Sequence, residues 1–168
     1  MTPQQKLEFA EVNVPPTTAV QVPGESGADA ASISSAVQAC FSTPMNCVER
    51  HGLIPAGPPR VRYFSFDPEG TSFQVAMPIL PPQAPVEDPE ITIDVLPAAK
   101  QYRFTHRGAY AGLAQTYGEI TEFMKSKGLM QTDDDWANYM PMAEEYPNDP
   151  STTPQAELLT YIYLPAKS

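Results

Sequence analysis

Two alternating stretches, each closed by a proline, constrain this chain more than anything else in it. One is Gln74-Val75-Ala76-Met77-Pro78, and the other is Leu158-Leu159-Thr160-Tyr161-Ile162-Tyr163-Leu164-Pro165 near the opposite end. A strand has period two, so Tyr161 and Tyr163 share one face while Ile162 and Leu164 share the other. The aliphatic face is predicted to pack on helices and the tyrosine face to line an open space. Other residues recur at matching intervals: Pro16 and Pro97, and Gly27 and Gly108, stand 81 positions apart. Gly52-Leu53 with Gly128-Leu129, and Tyr63 with Tyr139, stand 76 apart, and Pro78 with Pro165 stands 87 apart. The growing interval at the end reflects a longer loop before the second closing strand. The chain is an internal duplication of a strand, a helix and a two-stranded hairpin.

The local signals fill in that plan. Residues 1–13 read as a polar tail or short edge strand, and 17–22 as a strand ended by Pro23-Gly24. Residues 28–42 carry Ile33, Ala36, Val37, Cys40 and Phe41 on one helical stripe, with Asp29 or Ser32 as the cap. Thr43-Pro44 reads as a fresh cap, opening either a separate turn or a kinked continuation, and Gly52 stops it. Strands over 61–66 and 72–79 flank Asp67-Pro68-Glu69-Gly70, a hairpin signal. Residues 81–90 are proline-rich and acidic, an extended linker. Strands over 91–95 and 100–105 follow. A helix over 109–127 carries Tyr110, Leu113, Ala114, Tyr117, Ile120 and Met124 on one face and stops at Gly128. Residues 136–142 then read as a strand, 143–154 as an acidic loop and 158–164 as the last strand. The expected organisation is one domain over 1–168, with modules at 14–80 and 91–166.

Charge and cysteine usage narrow the function. Ten basic against 20 acidic residues give −10. No Lys/Arg cluster stands against that, so direct nucleic-acid binding is not expected. No run of roughly 18 apolar residues is present, so no membrane partner is expected, and the N-terminus lacks an apolar leader core. Cys40 and Cys47 would lie about 10 Å apart by rise along one helix, too far to bridge. Pro44 between them leaves a bend, and so a bridge, open. Two buried thiols of a cytoplasmic protein are the expected state.

Four stretches carry a resemblance to a known family. They are Gly57-Pro58-Pro59 leading to Tyr63; Phe73 to Pro78; Leu96-Pro97-Ala98 through Thr105-His106-Arg107-Gly108-Ala109-Tyr110; and Tyr146-Pro147-Asn148-Asp149-Pro150 with Thr153-Pro154 and the closing strand. On these the chain resembles the GyrI-like family, the effector-binding domain also fused to AraC-type and MerR-type regulators. The resemblance implies an α+β fold of tandem pseudo-symmetric βαββ modules. Their antiparallel sheets would form a central groove, with a helix packed on each module. It implies a groove ligand that is apolar, drug-like and often cationic. For some members it implies hydrolysis of strained cyclopropane-containing natural products, and for others action on gyrase. The glutamate that the family places in the last strand is replaced here by Tyr161, with Gln74 at the matching place in the first copy. The spacing from Trp136 and Tyr139 to Asn148 implies an insertion near 141–145.

The expected site follows. Tyr63, Tyr110, Trp136, Tyr139, Tyr161 and Tyr163 would give stacking area to an apolar, aromatic small molecule, neutral or cationic, with Glu145 as the acid at the groove. Tyr63 and Tyr139 would face each other across the pseudo-twofold. No cofactor and no metal are expected, since Asp133-Asp134-Asp135 and Glu144-Glu145 read as solvated loop charge without the ligand spacing of a calcium loop. A standalone sensor or sequestering protein is the first reading. A ring-opening hydrolase using Glu145, Tyr161 and His106 is the second. A gyrase-type protein partner, with the acidic surface imitating DNA, is the third.

Overall fold

The computed structural model describes residues 7–149 and 151–166. The tail expected over residues 1–6, and Pro150 of the Asn-Asp-Pro element, lie outside them. The strands are β1 (Glu8–Val14), β2 (Thr17–Ser26), β3 (Arg60–Asp67), β4 (Gly70–Pro78), β5 (Thr92–Leu96), β6 (Ala99–Arg107), β7 (Met142–Glu145) and β8 (Leu159–Pro165). The helices are α1 (Ala30–Arg50) and α2 (Leu113–Ser126), with short 3-10 turns at Tyr110–Gly112, Asp133–Tyr139 and Gln155–Glu157.

All the strands join one antiparallel sheet in the order β1-β6-β8-β7-β3-β4-β2-β5. That order is a palindrome of the duplication. The module β2-α1-β3-β4 mirrors β6-α2-β7-β8, and the two meet where β3 pairs with β7. The α+β class with tandem βαββ modules is therefore the observed architecture. The leading strands are exchanged: β1, which runs into β2, pairs with β6, and β5, which runs into β6, pairs with β2. Val14 sits opposite Ala99 and Thr17 opposite Leu96, so one register runs across the break at Pro15-Pro16 and Pro97-Ala98. Those prolines have no N–H to give the ladder, which lets both strands bend at the same point.

Each sheet face has its own chemistry. Val61, Tyr63, Phe73, Val75, Tyr102, Phe104, Met142, Ile162 and Leu164 share the helix side with Val37, Ile120 and Met124 in one buried cluster. Among the described residues the opposite side carries no helix, and it holds Arg60, Arg62, Gln74, Glu145, Tyr161 and Tyr163, as the cross-strand partners dictate. The aliphatic face of the last strand packs on helices as expected.

Several local expectations are corrected. α1 runs through Pro44 without a new cap, at the cost of one hydrogen bond to the Cys40 carbonyl. Asp29 caps it, accepting from the Ser32 backbone N at 2.9 Å. Cys40 and Cys47 are free, the first half-buried and the second buried. Residues 133–139 form a 3-10 helix rather than a strand, because Asp135 Oδ2 accepts from Gln131 N at 2.6 Å and Thr132 N at 3.2 Å. Strand β7 begins at Met142, the last residue of the expected strand, and runs on into the stretch expected to be an acidic loop, which turns Glu144 and Glu145 from solvated charge into buried residues, 5% and 8% exposed.

Gly24 on β2 has Phe73 opposite it, and a Cβ there would lie 2.5 Å from that ring and 3.0 Å from Cys40 Sγ. Gly24→Ala is expected to lower unfolding free energy by about 1–3 kcal/mol in urea titration. Gly118, inside α2 with open space at its Cβ, gives the opposite sign. Gly118→Ala should raise stability by about 0.5–1 kcal/mol.

Candidate functional site

The meeting of β3 and β7 puts a carboxylate in the middle of the core. On β7, Met142, Glu144 and, just beyond the strand, Tyr146 follow period two and point to the helix side. Glu144 lies between Val61 on β3 and Ile162 on β8, both fully buried. Its Oε1 accepts from Tyr63 Oη at 3.4 Å and Tyr146 Oη at 3.3 Å, and the Tyr117 phenol on α2 acts on it as well. Among the described residues it makes no salt bridge. Burial pushes its pKa above the ordinary carboxylate value, and the three phenols only partly oppose that. Burial, and next the charge of Glu144, hold the Tyr63, Tyr117 and Tyr146 phenols high, so all three remain donors.

An aromatic wall surrounds this centre. Tyr146 packs edge-on against Tyr110 at 5.7 Å and Phe41 at 6.0 Å, and Tyr117 against Trp136 at 5.8 Å. Trp136 Nε1 donates to Thr121 Oγ1 at 3.0 Å, which fixes the indole. Beside it opens a cleft of about 620 Å³ lined by Phe64, Phe66, Tyr117, Trp136, Met140 and Met142, with Asp133 and Asp134 at its margin. A register shift between Tyr63 and Ser65 swings Phe64 and Phe66 outward, 42% and 47% exposed. Tyr117 belongs to both the cleft and the carboxylate, so one phenol separates open space from buried charge.

The structure brings some of the expected residues together and disperses others. Tyr63, Tyr110 and Trp136 gather around Glu144 and the cleft. Tyr139 sits 1% exposed under α2, its hydroxyl donating to the Leu129 carbonyl at 2.8 Å. It is not the counterpart of Tyr63. The copies align Pro78 with Pro165 and Gln74 with Tyr161, hence Arg62 with Glu145 and Tyr63 with Tyr146. Tyr161 and Tyr163 face the side opposite the helices, away from the cleft beside Trp136. There Arg103 lies 4.8 Å over the Tyr161 ring, and burial raises the Tyr163 phenol to about 12. Glu145 is on that side too, within 3.1 Å of Arg60 and accepting from Tyr163 Oη at 3.3 Å. His106 is held at both nitrogens. Nε2 donates to the Ala109 carbonyl at 2.9 Å, and Nδ1 accepts from Thr116 Oγ1 at 2.6 Å, closing the turn into α2. Glu145, Tyr161 and His106 thus form no common centre.

The sequence reading missed Glu144, Tyr117 and Tyr146. The signal was the spacing Met142-x-Glu144-x-Tyr146, which sets Glu144 with the apolar face and Glu145 against it. Folding raises the Glu144 pKa above 4.5, so the native state holds this proton more tightly than the unfolded chain does. The contribution is fullest below 4.5 and is lost as pH rises through the raised value. Urea titrations of wild type and Glu144→Gln between about pH 4 and pH 8 should show the wild type losing stability relative to the variant as pH rises. A constant difference would mean that Glu144 titrates as it does in water.

Known proteins share this fold. Residues 45–167 match the family model for the GyrI-like small molecule binding domain. No curated protein sequence matches the chain. Among solved structures, the EcmrR C-terminal domain superimposes with a TM-score of 0.76 at 15% identity, over 97% of this chain and 99% of that one. In the EcmrR–DNA complex the chain spans 57% of the longer EcmrR chain. SAV2435 bound to tetraphenylphosphonium gives 0.60 at 14% identity, covering 95% and 94%. A hydrolase from Listeria innocua gives 0.57 at 15%, covering 94% and 91%. Identities this low establish a shared fold.

Proposed function

The chain belongs to the GyrI-like small molecule binding family, and on that premise we propose that its cleft takes up an apolar, aromatic monocation with Glu144 as the counter-charge. The observation that carries this is a buried carboxylate held only by phenol hydroxyls, beside an aromatic-walled cleft. A buried charge without a partner is costly, and a cation brought to it recovers part of that cost. Phenol and indole faces add cation–π attraction of about 0.5–2 kcal/mol each. A rotation of Tyr117 would join the cleft to the carboxylate. Tetraphenylphosphonium on SAV2435, a protein of the same fold, supports the size and charge class. The protein would act by sensing or sequestering such a molecule.

A second reading rests on the same residue. A carboxyl held above its ordinary pKa is suited to donate a proton to a leaving atom. A neighbour of the same fold carries the name hydrolase, and the reaction we infer for this reading is addition of water to a strained ring. Action on a basic protein partner has only the net charge behind it.

Trp136 is the only tryptophan, so its fluorescence reports the cleft directly. Titration with tetraphenylphosphonium should give saturable quenching, and uncharged triphenylphosphine oxide should bind more weakly. Glu144→Gln should weaken the cation by about 10-fold or more and leave the neutral compound nearly unchanged. Cation affinity should also rise with pH as the Glu144 carboxyl ionises. Equal binding of both compounds, untouched by Glu144→Gln, would remove the counter-charge role. Ligand recovered with the mass of one water added would move the assignment to hydrolysis.

A further inference from the structure

The last turn of α1 and the linker between the modules build a second cluster, remote from the cleft. Cys47 and His51 are four residues apart, so they share a face where the helix ends. The linker over 81–90 returns past that face and sets Asp88 against it. Asp88 Oδ2 lies 2.9 Å from His51 Nε2 and 3.6 Å from Cys47 Sγ, and it also accepts from Arg50 Nη2. Cys47 Sγ, an Asp88 oxygen and a Glu90 oxygen all lie within 4.8 Å of one another. Cys47 is fully buried and the Asp88 side chain is 6% exposed, whereas Arg50 and Glu90 are 53% and 61% exposed.

We propose that this cluster is a binding site for a zinc-class divalent cation, with Cys47, Asp88 and Glu90 as ligands, a water as the fourth, and His51 holding the Asp88 carboxylate in place from behind. Thiolate and carboxylate are donors such ions accept, three from the protein leaving a fourth position for water. Bonds of about 2.0–2.3 Å around a tetrahedral ion set sulfur and oxygen ligands roughly 3.5 Å apart, close to the Cys47–Asp88 separation. The position where an ion would sit already attracts positive charge. The Arg50 guanidinium fills it, 3.2 Å from Cys47 Sγ and 3.8 Å from Glu90 Oε2. Arg50 is a surface side chain and can leave for water when an ion enters. Binding releases the Cys47 thiol proton to solvent and changes no oxidation state. The other copy lacks these side chains: with Gly52 matched to Gly128, Cys47 falls on Phe123 and His51 on Lys127. The cluster is therefore peculiar to the first module and is not demanded by the duplicated fold.

Cobalt(II) makes the site visible, because a tetrahedral thiolate complex gives ligand-field bands and a sulfur-to-metal charge-transfer band. Untagged protein titrated with cobalt should show both, with one equivalent bound, and zinc should abolish them. Arg50→Ala removes the competing cation and should tighten binding by about 10-fold. Cys47→Ser should lose the charge-transfer band, and Glu90→Gln, at an exposed position, should weaken binding in a chain that folds normally. If the cluster is only an ion-pair latch, Arg50→Ala will loosen it and no bands will appear in wild type or variant. That outcome overturns the proposal, as would a charge-transfer band that survives Cys47→Ser.

Discussion

Two long strands that cross from one half of the molecule to the other hold this fold together. β1 continues into β2 and β5 into β6, and the two ribbons run antiparallel in one register through a shared proline break. β1 and β5 are the outer members of the sheet order, yet each is tied by its own chain to a strand near the opposite edge. Val14 and Thr17 are three residues apart, so those edges lie no more than about 11 Å from each other. The sheet must curl to allow this. The curl places α1 and α2 on the same side and leaves the meeting of β3 and β7 at the bottom of the curve.

At that bottom the two sides of the sheet follow opposite rules for charge. Towards the helices, Glu144 has phenols and aliphatic neighbours but, among the described residues, no cation. On the other side, charge and amide groups pair across the strands. Arg60 meets Glu145, Arg62 donates to Gln74 Oε1 at 3.0 Å, and Gln74 Nε2 donates to Gln21 Oε1 at 2.8 Å. Glu144 and Glu145 are neighbours in sequence, and the strand's alternation alone decides which is paired and which is left wanting. A one-residue slip of β7 would exchange them.

The duplication, the class of fold and the packing side of the last strand were legible from residue order, since they rest on alternation and on prolines at matching places. The end of α1 was legible too, because Gly52 takes a left-handed φ of 62° that other residues resist. The exchange of leading strands was not, because nothing in a strand's own residues says which edge it will pair with. Tyr139 misled: its interval from Tyr63 repeated the glycine interval, while the real counterpart, Tyr146, lay seven residues later, past a 3-10 turn that aspartate capping creates. Glu144 was hidden by its acidic neighbours, whose composition suggested a loop. Its burial depends on β7 pairing with β3 and β8 together, a fact of topology rather than of local propensity.

The exchanged strands also bear on where such a chain comes from. A lone β2-α1-β3-β4 unit would leave β2 without the neighbour that β5 supplies, and its own β1 would reach away with nothing to pair. Two such units, each lending a strand to the other, would complete both edges at once, as a swapped dimer does. Joining them in one polypeptide replaces an encounter between separate molecules by a tether of some ten residues, which holds the partner at millimolar effective concentration. Assembly then no longer depends on how much protein the cell makes. The two halves become free to diverge, one keeping a paired carboxamide where the other has a tyrosine, without either having to remain its own mirror image.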